Sequence, residues 1–151
     1  MTLRVLFVDD DSTYWEIVQE AISSEARLAD SSFVRLCDGS EAIAYLSRAA
    51  PYEDKLVYPW PDVVIIDQRM LRVDGTEVLA KLRAAGLGQT LSICLMTSSE
   101  QPKLVTEALA RGARFCFTKP LEFDNIVEAL ARIVSFFQEV AVLPPNPTGE
   151  R

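Results

Sequence analysis

The run Val63-Val64-Ile65-Ile66-Asp67 governs how the rest of the chain is interpreted. Four β-branched apolar residues in succession predict a strand that is buried on both faces, as in a parallel sheet. The run ends on a carboxylate, and charged side chains are rarely buried without a partner. We therefore expect Asp67 where the strand leaves the core, at the edge where open α/β sheets bind ligands.

Segments of strand length alternate with segments of helical periodicity along the chain. Strands are predicted at residues 3–8, 32–36, 62–67, 91–96 and 115–117, and helices at residues 13–25, 40–48, 76–85, 101–111 and 123–138. A β-α unit repeated in this way predicts an α/β fold, a doubly wound five-stranded parallel sheet with helices on both faces. We expect one domain over residues 1–138 and a C-terminal tail over residues 139–151 that is partly disordered.

Composition and charge exclude several classes of protein. The 151 residues are 49% hydrophobic with a net charge of −7, which is typical of a soluble domain and disfavours a nucleic-acid surface. No apolar run approaches the ~20 residues of a membrane span, and the N-terminus lacks a signal-peptide pattern. The absence of histidine excludes a Ser-His-Asp triad and a histidine-bearing zinc site. Three singly spaced cysteines indicate reduced thiols and a cytoplasmic location.

Acidic, hydroxyl and amine side chains stand at the ends of the predicted strands. In chain order they are Asp9 and Asp10, Asp67, Thr97 and Lys119. The carboxyl ends of parallel strands lie along one edge, so these side chains are expected to form one pocket. Two carboxylates about 5 Å apart repel by roughly 3 kcal/mol at an effective dielectric constant of about 20. A hard divalent cation would relieve that repulsion, and few carboxylates with several waters favour Mg²⁺ over Ca²⁺.

A cation in this pocket would allow Asp67 to act as a nucleophile toward a phosphoryl group. Lys119 would neutralise one phosphoryl oxygen, and Thr97 would donate a hydrogen bond to another. The predicted product is an aspartyl phosphate. The neighbouring Asp11 is better explained as the N-cap of a helix, and Asp74 as part of a turn that begins a helix.

In these residues the chain resembles the receiver domains of two-component response regulators, the family of the chemotaxis protein CheY. The matching elements, over residues 3–138, are Asp9-Asp10, Asp67, Met70, Asp74-Gly75, Thr97 and Lys119-Pro120. The resemblance implies a flavodoxin-like (βα)5 fold with strand order 2-1-3-4-5. It also implies that a sensor histidine kinase phosphorylates Asp67. The phosphoryl group would then switch protein–protein interaction, or the chain would serve as a phosphoryl relay or sink. The chain would then be a phosphoacceptor that assists its own phosphotransfer and dephosphorylation, and not an enzyme.

The resemblance further implies a Mg²⁺ site and a subgroup. Asp10 and Asp67 would bind the ion directly with the backbone carbonyl of Arg69, and Asp9 would act mainly through water. The apolar end of the last helix, Phe136-Phe137 with residues 140–143, indicates a homodimer or partner surface. This end and the long connection at residues 50–61 resemble single-domain regulators paired with phytochrome-type sensor kinases. The aromatic residues of that connection are expected to pack it onto its own domain.

Several positions bear on how closely the chain follows the family pattern, beginning with Leu71, where the family usually has a proline after the Met. Arg69 and Ser99 flank the path of an attacking water in the family, so we expect them to tune the lifetime of the phosphoryl group. Cys116 stands where the family commonly has an aromatic ring that moves inward on phosphorylation. Strand alternation turns Phe115 and Phe117 to the other face, so neither replaces that ring. The output is therefore expected to use another element, such as the helix at residues 101–111 or the loop before it.

Two other functions use similar residues. A metal-dependent phosphohydrolase with an aspartate nucleophile commonly carries a second aspartate two residues later, where this chain has Arg69. A degenerate receiver that serves only as a binding module would not need Asp67, Thr97 and Lys119, although Cys116 favours it. The acidic pocket makes a phosphoaccepting receiver the leading interpretation.

Overall fold

Strands and helices alternate along residues 2–98 and 101–144, the part of the chain described by the computed structural model. The strands are β1 (Leu3–Val8), β2 (Ser31–Leu36), β3 (Val63–Asp67), β4 (Ile93–Thr97) and β5 (Phe115–Thr118). The helices are α1 (Ser12–Ser24), α2 (Gly39–Leu46), α3 (Gly75–Ala84), α4 (Pro102–Ala110) and α5 (Phe123–Glu139). Each element predicted from the sequence is present.

The five strands form one parallel sheet with β3 at its centre. The order is β2-β1-β3-β4-β5, so the predicted order 2-1-3-4-5 is confirmed. On one side of β3, Val63 pairs with Val5 of β1, and on the other side Val64 pairs with Ile93 of β4. All five residues of β3 are buried, as the apolar run predicts. The chain crosses from β1 to β3 through the edge strand β2, which places the ends of β1 and β3 side by side.

Helices cover both faces of the sheet. Val63 and Ile65 pack in a core cluster with α1 and α5, whereas Val64 and Ile66 pack in a second cluster with α2, α3 and α4. Each of these four side chains is at most 1% exposed. Burying one such side chain contributes about 1.5–3 kcal/mol relative to leaving it in water. The two clusters therefore hold β3, and Asp67 at its end, in a fixed position.

Three helices at the carboxyl edge of the sheet begin with an aspartate cap. Asp11, Asp38 and Asp74 precede α1, α2 and α3, and each accepts the backbone N–H three residues later at 2.8–3.0 Å. These bonds satisfy backbone N–H groups that have no partner within the helix. The negative charge of the aspartate also interacts favourably with the positive end of the helix dipole. The predicted roles of Asp11 and Asp74 are those observed.

The connection between α2 and β3 packs on its own domain, as expected. Tyr52 lies against Tyr45 of α2 and against Tyr58, with ring centroids 5.2 and 5.0 Å apart. The hydroxyl of Tyr45 donates a hydrogen bond of 2.6 Å to the carbonyl of Pro59. Trp60 is 1% exposed in the core. The aromatic residues thus anchor this long segment.

The end of α5 divides its apolar residues between the core and the surface. Phe137 is buried, whereas Phe136 and Val140 are 46% and 69% exposed. Beyond the helix, Ala141 and Leu143 pack back against the cluster that contains α1 and α5. The predicted disorder of the tail concerns mainly residues 145–151, which lie outside the described residues.

Within residues 2–98 and 101–144, no helix combines the length and the apolar character needed to cross a membrane.

Candidate functional site

Three carboxylates converge at the carboxyl edge of the sheet. Asp9 and Asp10 follow β1, and Asp67 ends β3, the neighbouring strand. One carboxylate oxygen from each residue lies within 4.8 Å of the others. Asp9 and Asp67 are buried, whereas Asp10 is exposed and faces solvent. The structure therefore brings together the acidic residues that the sequence placed at two separate strand ends.

Lys119 joins the two buried carboxylates. Its Nζ atom lies 2.9 Å from Oδ2 of Asp9 and 3.1 Å from Oδ2 of Asp67. The backbone N–H of Lys119 donates to the carbonyl of Thr97 at 2.9 Å, which ties the end of β5 to the end of β4. The lysine side chain is only 11% exposed, so these ion pairs are shielded from solvent. The cation is thus held between both carboxylates.

The electrostatics of this group reflect two carboxylates sharing one ammonium. Burial, together with the charge of Asp9, raises the pKa of Asp67 to about 6, against the opposing effect of Lys119. Burial lowers the pKa of Lys119, but its hydrogen bond to Asp9 and the two negative charges outweigh that effect and raise it. The group accordingly holds excess negative charge, which favours an additional cation.

Backbone donors orient each carboxylate. Asp9 Oδ1 accepts the N–H of Asp11 at 2.9 Å, and Asp10 Oδ2 accepts the N–H of Leu71 at 3.0 Å. The backbone N–H of Arg69 donates to the Asp67 carboxylate and opposes the rise in its pKa. Such charge-assisted bonds are stronger than neutral ones. They connect the loop after β1 to the loop after β3.

Gly75 allows α3 to begin close to Asp67. A Cβ atom at this position would lie 2.5 Å from Cδ1 of Leu95 and 3.0 Å from the carbonyl oxygen of Asp67. Any larger residue would therefore push the start of α3 away from β3 and β4. Next to it, the side-chain oxygen of Gln68 accepts the N–H of Thr76 at 2.9 Å. The loop after Asp67 is consequently short and closely held.

Thr97 lies beside the acidic group on the adjacent strand end. It is buried, and it lines a groove of about 350 Å³ together with Gln68, Arg69, Met70 and others. The Arg69 side chain is exposed at this groove. Ser99, which the sequence paired with Arg69, lies outside the described residues. The groove lies between the loops after β3 and β4, next to the end of β3.

The side chains of β5 alternate between the two faces of the sheet, as predicted around Cys116. Cys116 packs against the cluster that contains α4, whereas Phe115 and Phe117 pack against the cluster that contains α1 and α5. The two phenylalanine rings are therefore on the opposite side of the sheet from Cys116. Neither stands in for an aromatic ring at residue 116.

Two contacts at the site were not predicted from the sequence. The Tyr14 ring lies 4.2 Å from Nζ of Lys119, measured to its centroid. The guanidinium of Arg35 in β2 donates to the backbone carbonyl of Asp9 at 3.1 and 3.3 Å. The spacing of Tyr14, Val18 and Ala21, all buried, would have placed Tyr14 on the inner face of α1. No sequence pattern indicated the Arg35 contact.

Comparison with known proteins relates this arrangement to a family. The sequence profile described as the response regulator receiver domain matches residues 5–131. Response regulator Rcp1 of Synechocystis sp. is 25% identical over 140 residues, which cover 93% of this chain and 92% of that protein. Some other curated relatives are longer, and the chain spans 30% of their length.

Two solved structures resemble the fold over nearly its whole length. Response regulator RPA3017, in red light signaling of R. palustris, has a TM-score of 0.85 and 26% identity, covering 95% of this chain and 99% of that one. The Mn²⁺-bound form of response regulator Rcp1 has a TM-score of 0.78 and 25% identity, with the same coverage of 95% and 99%. Because the family profile matches most of the sequence, this chain belongs to the response regulator receiver domain family, the receiver component of two-component signalling.

Proposed function

We propose that this receiver is a phosphorylation-dependent switch in which Asp67 accepts a phosphoryl group from a sensor histidine kinase. The observation that carries the proposal is the Lys119 ammonium held between Asp9 and Asp67, at an edge where Asp10 also lies. A nucleophilic carboxylate, a cation beside it and further oxygen ligands are the groups that phosphoryl transfer requires. Phosphorylation then changes the binding of a downstream protein.

Asp67 supplies the acceptor oxygen. One carboxylate oxygen forms a bond to phosphorus while the bond between phosphorus and the imidazole nitrogen of the kinase histidine breaks. The electron pair stays on that nitrogen, and the imidazole, protonated at its other nitrogen, leaves as a neutral ring. Lys119 offsets charge on the phosphoryl oxygens, and the Thr97 hydroxyl donates a hydrogen bond to one of them.

The three carboxylates fit a hard divalent cation, and we assign Mg²⁺ to this pocket. Asp10, Asp67 and the backbone carbonyl of Arg69 would hold it, with Asp9 acting through water. Oxygen atoms are the ligands that Mg²⁺ prefers, and a small number of protein ligands leaves room for its waters. The Mn²⁺-bound structure of the related Rcp1 supports a divalent ion here. When bound, the ion supplies positive charge that offsets the carboxylate repulsion and the phosphoryl charge.

The experiment that tests this function is incubation of the chain with acetyl phosphate, with and without Mg²⁺. We expect one phosphoryl group per chain, attached at Asp67 by peptide mapping, removed by hydroxylamine, and dependent on the metal. Repeated turnover of a generic phosphomonoester such as p-nitrophenyl phosphate would instead establish a phosphohydrolase. Binding of a partner without any phosphoryl uptake would establish a degenerate receiver.

The Arg69→Ala variant is expected to change the lifetime of the aspartyl phosphate by about three- to tenfold, since the exposed Arg69 side chain lines the groove next to the end of β3, from which a water could approach. The measurement is the decay of phosphorylated protein after removal of acetyl phosphate. Arg72→Ala, on the same loop but outside that groove, is the control. Decay of Arg69→Ala at the wild-type rate would contradict this role.

The kinase partner is proposed to be of the phytochrome type, and the location cytoplasmic. The relationship to a response regulator of red light signaling supports the first assignment. Cys37, Cys94 and Cys116 are free thiols, which supports a reducing compartment.

We further propose a homodimer through the end of α5, where Phe136, Val140 and Val142 expose apolar side chains. Phe136→Asp is therefore expected to produce a monomer, measured as mass by light scattering at high protein concentration. Leu56→Asp, at an apolar residue that is 95% exposed in the connection before β3, should leave the dimer intact. A monomeric wild-type mass, with and without beryllofluoride, would rule out this interface.

A further inference from the structure

Tyr14, in the first turn of α1, packs its ring against the Lys119 ammonium. The ring centroid lies 4.2 Å from Nζ of Lys119. The Tyr14 hydroxyl donates a hydrogen bond of 2.7 Å to the carbonyl of Pro120, the residue that follows Lys119. Tyr14 is itself only 6% exposed. One side chain from α1 thus contacts both the charge of Lys119 and the backbone next to it.

A lysine at a phosphoryl-transfer site needs a constraint that does not depend on the reacting group. Its ammonium is a compact charge on a flexible four-carbon stem, and fixing that stem has an entropic cost. Asp9 pairs with the ammonium at 2.9 Å and does not react, but it fixes only one side of the charge. Asp67, the second ionic partner, is a poor constraint, because its carboxylate becomes the acceptor and its charge distribution changes during the transfer. An aromatic face attracts a cation whether or not Asp67 carries a phosphoryl group. The Tyr14 ring meets that requirement.

We propose that Tyr14 is a positioning residue for phosphoryl transfer, which holds the Lys119 ammonium beside Asp67 through its ring and anchors the segment after β5 through its hydroxyl. The proposal rests on the proposed function of Asp67. The bond chemistry is the transfer described above, and Tyr14 takes no part in it. The ring keeps Lys119 within reach of the phosphoryl oxygens before, during and after the transfer.

Two substitutions of Tyr14 distinguish the effect of its ring from the effect of its hydroxyl. Tyr14→Phe keeps the aromatic face and loses the bond to Pro120, whereas Tyr14→Met fills similar space without an aromatic face. We expect phosphoryl uptake from acetyl phosphate with Mg²⁺ to slow about tenfold in Tyr14→Met and to stay within about threefold of wild type in Tyr14→Phe. Recovery of the rate by the conservative variant is an effect that loss of general packing would not produce.

The chain offers a matched control in Tyr45. This residue is 1% exposed, and its hydroxyl donates to the carbonyl of Pro59, but it lies in the other core cluster, away from Lys119. Tyr45→Phe and Tyr45→Met therefore remove a similar hydroxyl or ring without touching the site. We expect both to take up the phosphoryl group at the wild-type rate.

A second readout does not depend on phosphorylation. A ring face near the lysine shields the Lys119 side-chain protons, so their NMR signals should lie upfield of those of other lysines in the wild type and in Tyr14→Phe. The shift should vanish in Tyr14→Met. Absence of the upfield shift in the folded wild type, or phosphoryl uptake by folded Tyr14→Met at the wild-type rate, would overturn the proposal.

The two readouts also separate this inference from the proposed function. Wild-type protein that takes up no phosphoryl group, yet shows the upfield shift, would refute the role of Asp67 and with it a role for Tyr14 in transfer. Wild-type protein that is phosphorylated while uptake by Tyr14→Phe falls as far as uptake by Tyr14→Met would overturn the proposal, because the bond to Pro120 and not the ring would then position Lys119.

Discussion

The Asp67→Asn variant is expected to take up no phosphoryl group from acetyl phosphate. The amide has the shape of the carboxylate but lacks the negative charge that makes its oxygen a nucleophile. Uptake should fall by at least about 10³-fold, as is usual when a nucleophile is removed. Intact mass after incubation with acetyl phosphate and Mg²⁺ measures this directly.

The loss of uptake is not expected to come from unfolding. Burial and the Asp9 charge raise the pKa of Asp67 from 3.8 to about 6, so the folded state holds this proton more tightly than the unfolded chain. Above a pH of about 6, the ionised carboxylate therefore lowers the stability of the metal-free protein, and a neutral amide removes that effect. The thermal midpoint of metal-free Asp67→Asn at neutral pH should equal or exceed that of the wild type.

Asp38→Asn is the matched control for this substitution. Asp38 lies at the same edge of the sheet, but it caps α2 and is not part of the acidic group. Asparagine caps a helix about as well as aspartate and gives up only the interaction of the charge with the helix dipole, so stability should fall by no more than about 1 kcal/mol and uptake should be unchanged. Phosphorylation of Asp67→Asn at another carboxylate, at a rate near that of the wild type, would show that Asp67 is not the acceptor.

The Lys119→Met variant is expected to lose most of its phosphoryl uptake and part of its stability. Without the ammonium, the phosphoryl oxygens lose the positive charge that the described structure places directly beside Asp67, and removal of one such group slows transfer by about 10²–10³-fold. The substitution also leaves Asp9 and Asp67 buried without their cation. Breaking a buried ion pair in this way costs about 3 kcal/mol of unfolding free energy, measured by urea titration without divalent ions.

A double variant separates these two effects. Lys119→Met with Asp67→Asn leaves only one buried carboxylate, so we expect it to regain stability relative to Lys119→Met while uptake stays absent. Lys103→Met, at an exposed lysine of α4, should match the wild type in both measurements. Uptake by Lys119→Met within threefold of the wild type would exclude this lysine from the transfer.

The architecture and the acidic pocket could be predicted from local sequence patterns. Apolar runs of strand length and helical periodicity arise within a few neighbouring residues, and their strict alternation leaves few topologies for a parallel sheet. Because parallel strands end at one edge, the sequence alone places Asp9, Asp67 and Lys119 together. The capping roles of Asp11 and Asp74 could also be predicted locally, since each side chain contacts a backbone group only three residues away.

The pairwise contacts within the pocket depended on tertiary structure. Asp9 pairs with Lys119 across 110 residues, and Tyr14 bonds to Pro120 across 106. The side-chain distances in these pairs follow from how α1, β1 and β5 pack, which no short stretch of sequence encodes. The contact of Arg35 with the Asp9 carbonyl likewise depends on how distant segments pack. Packing also decides that Phe136 is exposed while Phe137 lies in the core. Periodicity specifies which strand end a residue occupies, whereas packing of distant segments specifies which atom it touches there.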